Sequence, residues 1–491
     1  MKRLIELYKS NFHTEPINIE QIKGSGSDRK YYRLSDNYNS SIGVIGTSLE
    51  ENKAFIGITK HFNEKKLPVP QILAVSPDYM AYLQTDLGKL SLYDKLAPSR
   101  ESGFYNETDV AYLEDTIKLL PLMQIRGKEG LDLSLCFPTS IMDETAIHFD
   151  LNYFKYCFLK LLQHIEFNEI MLENDFCKLS SDIIKTAEGY NTLMLRDFQS
   201  RNVMLCKKGN TKRPYFIDYQ GCRLGPKEYD LASFLWQSSA KYPSTLRNRL
   251  VDTYIKSLSD ILPTTDPDTV RKNLRLMVLF RLLQVLGAYG FRGYIEHKAY
   301  FLNSIPLAIN NIKELVDNGV TKPYPYLEQI LCKIIIVFNE HKQEGKPSTT
   351  PIDTHKQGLT VTVYSFSYKK GIPIDTSGNG GGYVFDCRST HNPGRFEEYK
   401  KLTGLDEKVI KYLEDDGEIT TFLSNIYPIV NHHVTRFLER HFTHLMICFG
   451  CTGGQHRSVY SAQHVAEYIH NTFTNVNVHL IHREQGIEKF I

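Results

Sequence analysis

Three polar residues in the middle of the chain have the types and the spacing that phosphoryl transfer requires. Asp197 is followed five residues later by Asn202, and the apolar run 215–217 leads directly to Asp218. A kinase needs one carboxylate to position and deprotonate the accepting hydroxyl, and it needs oxygen ligands for the Mg²⁺ that neutralises the nucleotide phosphates. The pattern therefore predicts a kinase site in which Asp197 is the catalytic base and Asn202 and Asp218 are the metal ligands.

Two strand-like runs within residues 193–221 must position these side chains. A hairpin-like loop between two strands brings residues that are separated in sequence to one edge. Each residue alone is equally typical of an ordinary turn, because Asp and Asn are favoured there. The kinase interpretation depends on the combination of Asp-x-x-x-x-Asn with a third carboxylate after an apolar run.

A glycine-rich turn at residues 23–30, KGSGSDRK, precedes this loop and supplies backbone N–H groups of the kind that cover nucleotide phosphates. The same glycines also fit a plain tight hairpin. The next strand, SSIGVIGT, lacks the lysine that contacts the α- and β-phosphates in many kinases. Arg29, Lys30 and Arg33 are the candidates to replace it, and an inactive kinase is the alternative. The predicted nucleotide contacts are Gly24, Ser25, Gly26, Ser27 and Arg29.

These motifs resemble those of the aminoglycoside/choline phosphotransferase family. LRDFQSRN (195–202) is similar to its catalytic loop, and FIDYQGCRLGPKEYDLASFLW (216–236) is similar to its metal-binding segment. One departure is Leu195, which stands where the family usually has a histidine. Together with LRDFQSRN, GSGSDRKYYRL and RLLQVLGAYGFRG (281–293) are most similar to bacterial kinases that act on the anomeric hydroxyl of N-acetylmuramate and N-acetylglucosamine.

The resemblance covers residues 1–340 and implies several properties of this segment. ATP and Mg²⁺ are the implied cofactors, and Arg196 and Asp230 are implied as structural support for the catalytic loop. The implied acceptor is a small amino sugar, with the anomeric hydroxyl among the candidate positions.

A second constellation lies near the C-terminus, in HLMICFGCTGGQHRSVYSAQHVAEYIHNTF (444–473). An apolar strand at 445–449 is followed by a glycine-rich turn and by a helix that begins near His456. Loop amides and a helix N-terminus both attract anions, and His456 and Arg457 are expected to add positive charge at the mouth. The pattern predicts a site for phosphate or a phosphosugar, formed by Gly450, Cys451, Thr452, Gly453, Gly454, His456, Arg457 and Ser458.

Other functions of this loop stay open. The order of Cys451, Arg457 and Ser458 also matches cysteine-dependent phosphatases, in which a thiolate attacks phosphorus. No general acid is evident in the sequence, so we predict binding without hydrolysis. A redox role for the pair Cys448 and Cys451 is a further alternative, although Cys448 is expected to point into a core. A glycine turn without any ligand also fits.

Four motifs in this part of the chain, FDCR (385–388), HNPG (391–394), TGLD (403–406) and GCTGGQHRS (450–458), resemble the C-terminal domain of the RapZ family. The resemblance covers about residues 383–489 and implies sensing of glucosamine-6-phosphate and binding of a small RNA. Residues 360–491 contain thirteen Lys and Arg against fourteen Asp and Glu. Because RNA-binding domains usually carry a basic excess, a phosphosugar is favoured and RNA is the alternative.

The composition fits this two-part plan. A chain of 491 residues with 42% hydrophobic residues is long enough for two or three domains. The net charge of +2 indicates neither a nucleic-acid nor a membrane partner. Scattered cysteines, the lack of a signal peptide and the lack of eighteen uninterrupted apolar residues predict a cytoplasmic protein without a membrane span.

The predicted fold class is multidomain α/β, a bilobal protein-kinase-like phosphotransferase fold followed by a smaller α/β anion-binding domain. The kinase-like domain is expected at residues 1–340, with a β-rich small lobe at about 1–88 and a mostly helical large lobe at about 89–340. Residues 341–358, rich in Lys, Thr, Pro and Gly, are expected to form a linker. The C-terminal domain is expected at residues 360–491.

Overall fold

The first 85 residues form an antiparallel sheet with helices on both faces. In the sheet order β1-β2-β3-β5-β4, the strands are β1 (Asn18–Ile22), β2 (Lys30–Ser35), β3 (Ser40–Ile45), β5 (Ala81–Thr85) and β4 (Ile72–Val75). Helix α1 (Lys2–Phe12) buries Leu4 and Tyr8 against one face. Helix α2 (Leu49–Glu64) buries Phe55, Ile58 and Phe62 in the main core.

This description comes from a computed structural model, which describes residues 1–22, 29–162, 165–186, 192–208, 211–344, 358–373, 375 and 381–491. The chain divides into two units. The first is Met1–Glu296 with Tyr300–Gly345, and the second is His297–Ala299 with Lys346–Ile491.

A mostly helical large lobe completes the first unit. Its helices are α3 (Leu92–Lys95), α4 (Ala97–Ser102), α5 (Glu107–Arg126), α6 (Glu144–Cys157), α7 (Glu169–Thr186), α8 (Glu228–Leu235), α9 (Ser244–Ile261), α10 (Pro267–Gly290), α11 (Ala299–Asp317) and α12 (Pro325–Glu344). Two antiparallel strand pairs carry the catalytic segment, β6 (Leu193–Met194) with β9 (Arg223–Leu224), and β7 (Val203–Lys208) with β8 (Thr211–Phe216).

Helix α10 lies at the centre of this lobe, and two of its glycines allow a close approach to α6. A Cβ at Gly290 would lie 2.0 Å from the carbonyl oxygen of Cys157, and one at Gly287 would lie 2.8 Å from the backbone nitrogen of Phe154. Real Cβ atoms do not approach backbone this closely, so both positions require glycine unless the helices move apart.

One helical segment of the described residues, Pro267–Ile295, is long and apolar enough to cross a membrane. The segment does not contain eighteen uninterrupted apolar residues, because Arg271, Arg275 and Arg281 interrupt it. The most apolar window of this segment is 61% buried inside the protein. Core helices of globular domains commonly have this property, so the finding is weak evidence for a membrane span.

The second unit is a mostly parallel α/β structure. Its strands are β10 (Leu359–Ser367), β11 (Gly382–Asp386), β12 (His444–Cys451), β13 (Val476–His482) and β14 (Ile487–Phe490), in the sheet order β11-β12-β10-β13-β14. Only the pairing of β14 with β13 is antiparallel among these described strands. The helices are α13 (Glu407–Asp416), α14 (Glu418–Glu439) and α15 (Arg457–Thr472). The fold class is the predicted one.

The predicted linker needs one correction. Residues 341–344 belong to the last turn of α12, which continues through these polar residues and ends at Glu344. Residues 345–357 lie outside the described part of the chain. Gly358 immediately precedes β10.

Candidate functional site

One buried carboxylate holds the catalytic loop in place. Asp230, on α8, is fully buried, and its side chain accepts hydrogen bonds from the backbone N–H groups of Leu195 and Arg196, each at 2.9 Å. Gln124 donates to the same carboxylate at 3.0 Å. Burial raises the pKa of Asp230 to about 6, although these hydrogen bonds oppose the shift. These contacts give Asp230 the supporting position that the resemblance implies.

The side chains of Asp197, Asn202 and Asp218 meet beside this loop. The Asn202 side-chain amide donates to the backbone carbonyl of Asp197 at 2.9 Å and to the Asp218 carboxylate at 3.0 Å. All three residues line one small cavity. The Asp197 side chain is 47% exposed, so its carboxylate is accessible to an acceptor.

Two residues next to this cavity have strained backbones. Arg196 has a φ of 72° and Asp218 has a φ of 65°, in the left-handed region that non-glycine residues rarely adopt. Such strain costs roughly 1–3 kcal/mol per residue and persists only where surrounding contacts impose it. Burial raises the pKa of Asp218, and the nearby negative charge of Asp197 raises it further. A bound cation would offset both effects, so the residues present fit a Mg²⁺ site.

A polar network on the other side of the loop was not predicted from the sequence. Arg196, expected only as support, pairs with Asp150 of α6 at 3.1 Å. Gln284 of α10 donates to the same Asp150 at 2.8 Å. Arg281 lies 3.9 Å from the Asp197 carboxylate and donates to Gln284 and Tyr229. The motif RLLQVLGAYGFRG contained a signal for this network, because Arg281 and Gln284 are three residues apart and so lie on one face of a helix.

Arg29 pairs with the first turn of α2. The Arg29 guanidinium donates to Glu51 at 2.7 Å, and its side chain is 3% exposed. The positive charge of Arg29 opposes the rise in the pKa of Asp218. Arg33 instead pairs with Asp86 at 2.6 Å, at the outer end of the sheet. Of the three replacement candidates, Arg29 is the one whose charge influences Asp218. The other predicted nucleotide contacts, Gly24, Ser25, Gly26 and Ser27, lie outside the described residues.

The C-terminal loop connects β12 to α15, as the sequence predicted. The Cys451 thiol lies 3.1 Å from the Ser458 hydroxyl. Burial raises the pKa of Cys451, but hydrogen bonds from Ser458 and from the backbone N–H groups of Gly454, Gln455 and Ser458 outweigh burial and lower it. The hydrogen-bond donors of the loop therefore converge on the Cys451 sulfur. Cys448 is buried in the core as expected, and burial raises its pKa to about 12.

The two cationic residues of this loop are not at its mouth, which corrects the prediction. His456 is 7% exposed and lies 2.8 Å from the carbonyl oxygen of Tyr399. Arg457 is 5% exposed, and its Nη1 donates to the carbonyls of Cys387, Arg388 and Thr390. These carbonyls draw the side chain under the loop. Its Nε is buried and has no hydrogen-bond partner among the described residues.

A carboxylate near this loop was also missed by the sequence reasoning. Asp386 ends β11 and stands opposite Gly450 in the parallel register. It pairs with Arg388 at 2.6 Å, and the hydrogen bonds from Arg388 lower its pKa. Parallel strands end at the same edge of a sheet, so the motif FDCR could have been placed beside the loop from the strand order alone.

Two family models match the chain. Residues 359–486 match the RapZ C-terminal domain, and residues 139–265 match the ecdysteroid kinase-like family. A nucleotide-binding protein of Staphylococcus epidermidis is 36% identical over 188 residues, which cover 37% of this chain and 60% of that protein. A nucleotide-binding protein of Pseudoalteromonas translucida is 34% identical over 186 residues, which cover 38% of this chain and 62% of that protein. The chain thus spans less than two thirds of the length of these curated relatives.

Solved structures with a similar backbone include a choline kinase from Cryptosporidium parvum, with a TM-score of 0.46 and 13% identity, covering 67% of this chain and 99% of that one. Another is an aminoglycoside phosphotransferase in complex with ADP and hygromycin B, with a TM-score of 0.39 and 12% identity. The match covers 63% of this chain and 98% of that one. The family matches confirm both resemblances drawn from the sequence, at the level of a kinase-like fold and of the RapZ C-terminal domain.

Proposed function

We propose, from a kinase-like domain followed by a RapZ C-terminal domain, that this chain transfers the γ-phosphoryl group of ATP to a hydroxyl of an amino sugar. The observation that carries the proposal is the convergence of Asp197, Asn202 and Asp218 on one cavity. The sugar resembles N-acetylmuramate or N-acetylglucosamine, and the anomeric hydroxyl is a candidate position. The proposed compartment is the cytoplasm, because the chain has nine cysteines and all of those in the described residues are free.

The proposed reaction assigns one role to each group. Asp197 accepts the proton of the acceptor hydroxyl as that oxygen attacks the γ-phosphorus, and the bond to the β–γ bridging oxygen breaks to release ADP. Asn202 and Asp218 would hold Mg²⁺, which supplies charge neutralisation at the phosphates when bound. Arg281, whose guanidinium lies 3.9 Å from the Asp197 carboxylate, would hold that carboxylate in position.

We also propose that Arg29 replaces the missing strand lysine. In protein kinases an ion pair between that lysine and a glutamate of the adjacent helix aligns the α- and β-phosphates. Here Arg29 and Glu51 of α2 form such a pair, and the Arg29 charge lies close enough to Asp218 to influence its ionisation. This pairing favours an active kinase over an inactive one.

Phosphotransfer from γ-labelled ATP to a panel of amino sugars tests the proposal. We expect labelled product with at least one N-acetylated sugar, dependence on added Mg²⁺, and loss of product in Asp197→Asn. ATP binding without transfer to any acceptor would support the alternative, a regulatory protein whose kinase domain is inactive.

A second proposal concerns the C-terminal domain, where we infer that residues 450–458 bind a phosphosugar and regulate the kinase domain. The buried, unpartnered Nε of Arg457 favours this function, as do the backbone donors around Cys451. A small RNA is the alternative ligand, and a phosphatase acting through Cys451 is the alternative activity. Release of inorganic phosphate from a chromogenic phosphate ester, abolished by Cys451→Ser, would establish the phosphatase instead.

A further inference from the structure

Helices α6 and α7 of the large lobe bring three side chains of metal-binding type together. His148 lies on α6, and Glu173 and Cys177 lie four residues apart on α7. Each of the three offers one ligand atom, a ring nitrogen, a carboxylate oxygen or the thiol sulfur, and these atoms all lie within 4.8 Å of one another. We call these three residues the α6–α7 cluster. None of them lines the cavity that Asp197 lines, so the proposed kinase reaction gives the cluster no role.

A buried lysine orients the carboxylate of this cluster. Residues four apart on a helix lie on one face, so Glu173 and Cys177 are neighbours on the surface of α7. Oε2 of Glu173 accepts a hydrogen bond from Nζ of Lys155 at 3.0 Å, and Lys155 is 5% exposed. Oε1 of the same carboxylate lies 3.1 Å from Nδ1 of His148. Contacts of this kind behind a ligand fix its orientation in metal sites, and here they direct Oε1 toward the imidazole.

The distances within the cluster suit a tetrahedral ion. Nitrogen and oxygen ligands lie about 2.0–2.1 Å from zinc, which separates two such ligands by about 3.3 Å at a tetrahedral angle. The 3.1 Å between His148 and Glu173 is close to that separation. Cys177 is exposed, so rotation of its side chain toward the same point meets little steric resistance. Access from solvent also leaves room for water as a fourth ligand.

The chemistry of the three donors selects the class of ion. A thiolate is a soft ligand and an imidazole binds transition metals, whereas Mg²⁺ and Ca²⁺ prefer oxygen ligands. The set therefore favours Zn²⁺ over the Mg²⁺ proposed for the kinase site. A second group of possible ligands, His391, Asp416 and Glu418, is exposed and contains no sulfur. A hydrogen bond alone accounts for the contact of His148 with Glu173, but it gives no role to the thiol beside them.

We propose that the α6–α7 cluster binds Zn²⁺ through His148, Glu173 and Cys177, with water as the fourth ligand. The Cys177 thiol releases its proton to solvent on binding, and the sulfur bonds to the ion as a thiolate. His148 binds in its neutral form through Nδ1 and keeps its ring proton on Nε2. The ion ties α7 to α6, the helix that also carries Asp150. This inference does not depend on the proposed kinase function.

Titration of the reduced full chain with Co²⁺ tests the proposal, because Co²⁺ occupies zinc sites and a thiolate ligand gives it a charge-transfer band in the near ultraviolet. The wild-type band should saturate at equimolar Co²⁺ and disappear when Zn²⁺ is added. Cys177→Ser should abolish the band. His148→Gln should weaken Co²⁺ binding at least about ten-fold, because changes to residues behind the ligands already cost that much. Cys332→Ser is the matched control, since that part-buried thiol lies on α12 outside the cluster, and it should keep the wild-type band and affinity.

The variants distinguish this site from the other thiols of the chain. Absence of the thiolate band in the wild-type chain would overturn the proposal, as would a band that persists in Cys177→Ser or an unchanged affinity in His148→Gln. Loss of the band in Cys451→Ser instead would also overturn it and assign the ion to residues 450–458. Failure of Zn²⁺ to displace Co²⁺ would overturn the assignment to zinc. Far-ultraviolet circular dichroism of Cys177→Ser should match the wild type, because the replaced side chain is exposed.

Discussion

At the scale of single residues, the candidate active site combines a solvent-accessible base with a less exposed metal-side carboxylate. Asp197 is half exposed and lies near Arg281, whereas Asp218 is part-buried and has a strained backbone. These opposite environments suit opposite tasks, because one group must exchange a proton with the acceptor and the other must hold a cation.

Replacing Asp197 by Asn removes the proposed base while preserving the shape of the side chain. We expect kcat for phosphotransfer to fall by about two to four orders of magnitude, the usual contribution of general base catalysis. ADP binding should change little, because the nucleotide contacts are elsewhere. Steady-state kinetics and calorimetric titration with ADP measure the two quantities. Near-normal turnover in this variant would remove Asp197 from the mechanism.

Replacing Arg29 by Ala should raise the KM for ATP about ten- to one-hundred-fold, because a charge-assisted contact to the phosphates is lost. Arg29→Lys should recover part of the affinity. Lys30→Ala and Arg33→Ala are the controls, since these residues were the other two candidates. If one of them shows the larger effect on KM, the assignment of Arg29 is wrong.

Replacing Arg457 by Ala should weaken phosphosugar binding by about 1.5–3 kcal/mol, as expected for a charge-assisted hydrogen bond. Calorimetric titration of the full chain with glucosamine-6-phosphate provides the measurement. Arg436→Ala is a suitable control, because that exposed arginine pairs with Glu439 on α14. Tight binding of a structured RNA, without heat from any phosphosugar, would restore the RNA alternative.

The sequence predicted the residues whose roles depend on local spacing, and it missed those that arrive from distant elements. Asp197, Asn202 and Asp218 lie within 22 residues of one another in sequence, so a hairpin suffices to join them. Glu51, Asp150 and Arg281 reach the same region from three helices, and only tertiary packing brings them there. The burial of the Arg457 side chain was equally unpredictable from the sequence, because its hydrogen-bond partners are the distant backbone carbonyls of residues 387–390.

At the scale of elements, the ends of parallel strands organise the C-terminal site. The strand predicted at 445–449 is β12, and the helix predicted near His456 begins one residue later. The apolar run of β12 and the glycine-rich turn after it made this strand and the following helix recognisable. The sheet order was not predictable, because nothing in a strand's own sequence specifies which neighbour it pairs with.

His482 should make the stability of the second unit depend on pH. Burial, with a smaller contribution from the charge of Lys489, lowers the pKa of His482 to about 4, and its Nδ1 lies 2.9 Å from the Ser365 hydroxyl. The unfolded chain takes up this proton below about pH 6.5, whereas the folded chain resists until about pH 4. The contribution of His482 to the free energy of unfolding, about 2–3 kcal/mol, is therefore fully present above pH 6.5 and is lost as the pH falls toward 4.

Hydrogen exchange of peptides from residues 359–491 in the full chain, measured in urea at several pH values, gives the free energy of unfolding of this unit. His482→Gln should remove this part of the pH dependence. An NMR titration of histidine Cε1–H signals, with the variant as the assignment control, should show a His482 ring that is neutral at pH 5.5. A midpoint near 6.5 for that signal would contradict the prediction.

At the scale of the whole molecule, the sequence predicted a kinase-like unit and a C-terminal unit, and its composition predicted a linker between them. Limited proteolysis should cut first between residues 345 and 358, because a Lys-, Thr-, Pro- and Gly-rich stretch offers few protecting contacts. Mass spectrometry of the first fragments identifies the cut. A first cut within 193–221, the catalytic hairpin, would count against this division of the chain.

Because α6 and α10 approach each other closely, mutations at their contact are expected to affect activity as active-site mutations do. Gly287 and Gly290 lie in the same helix as Arg281 and face backbone atoms of α6, which also carries Asp150. A methyl group at either glycine must push the two helices apart, and the guanidinium beside Asp197 moves with them. A random screen for loss of function will therefore recover Gly287 and Gly290 as if they were active-site residues. Second-site suppressors of such variants should fall among residues 153–158, on the opposite helix.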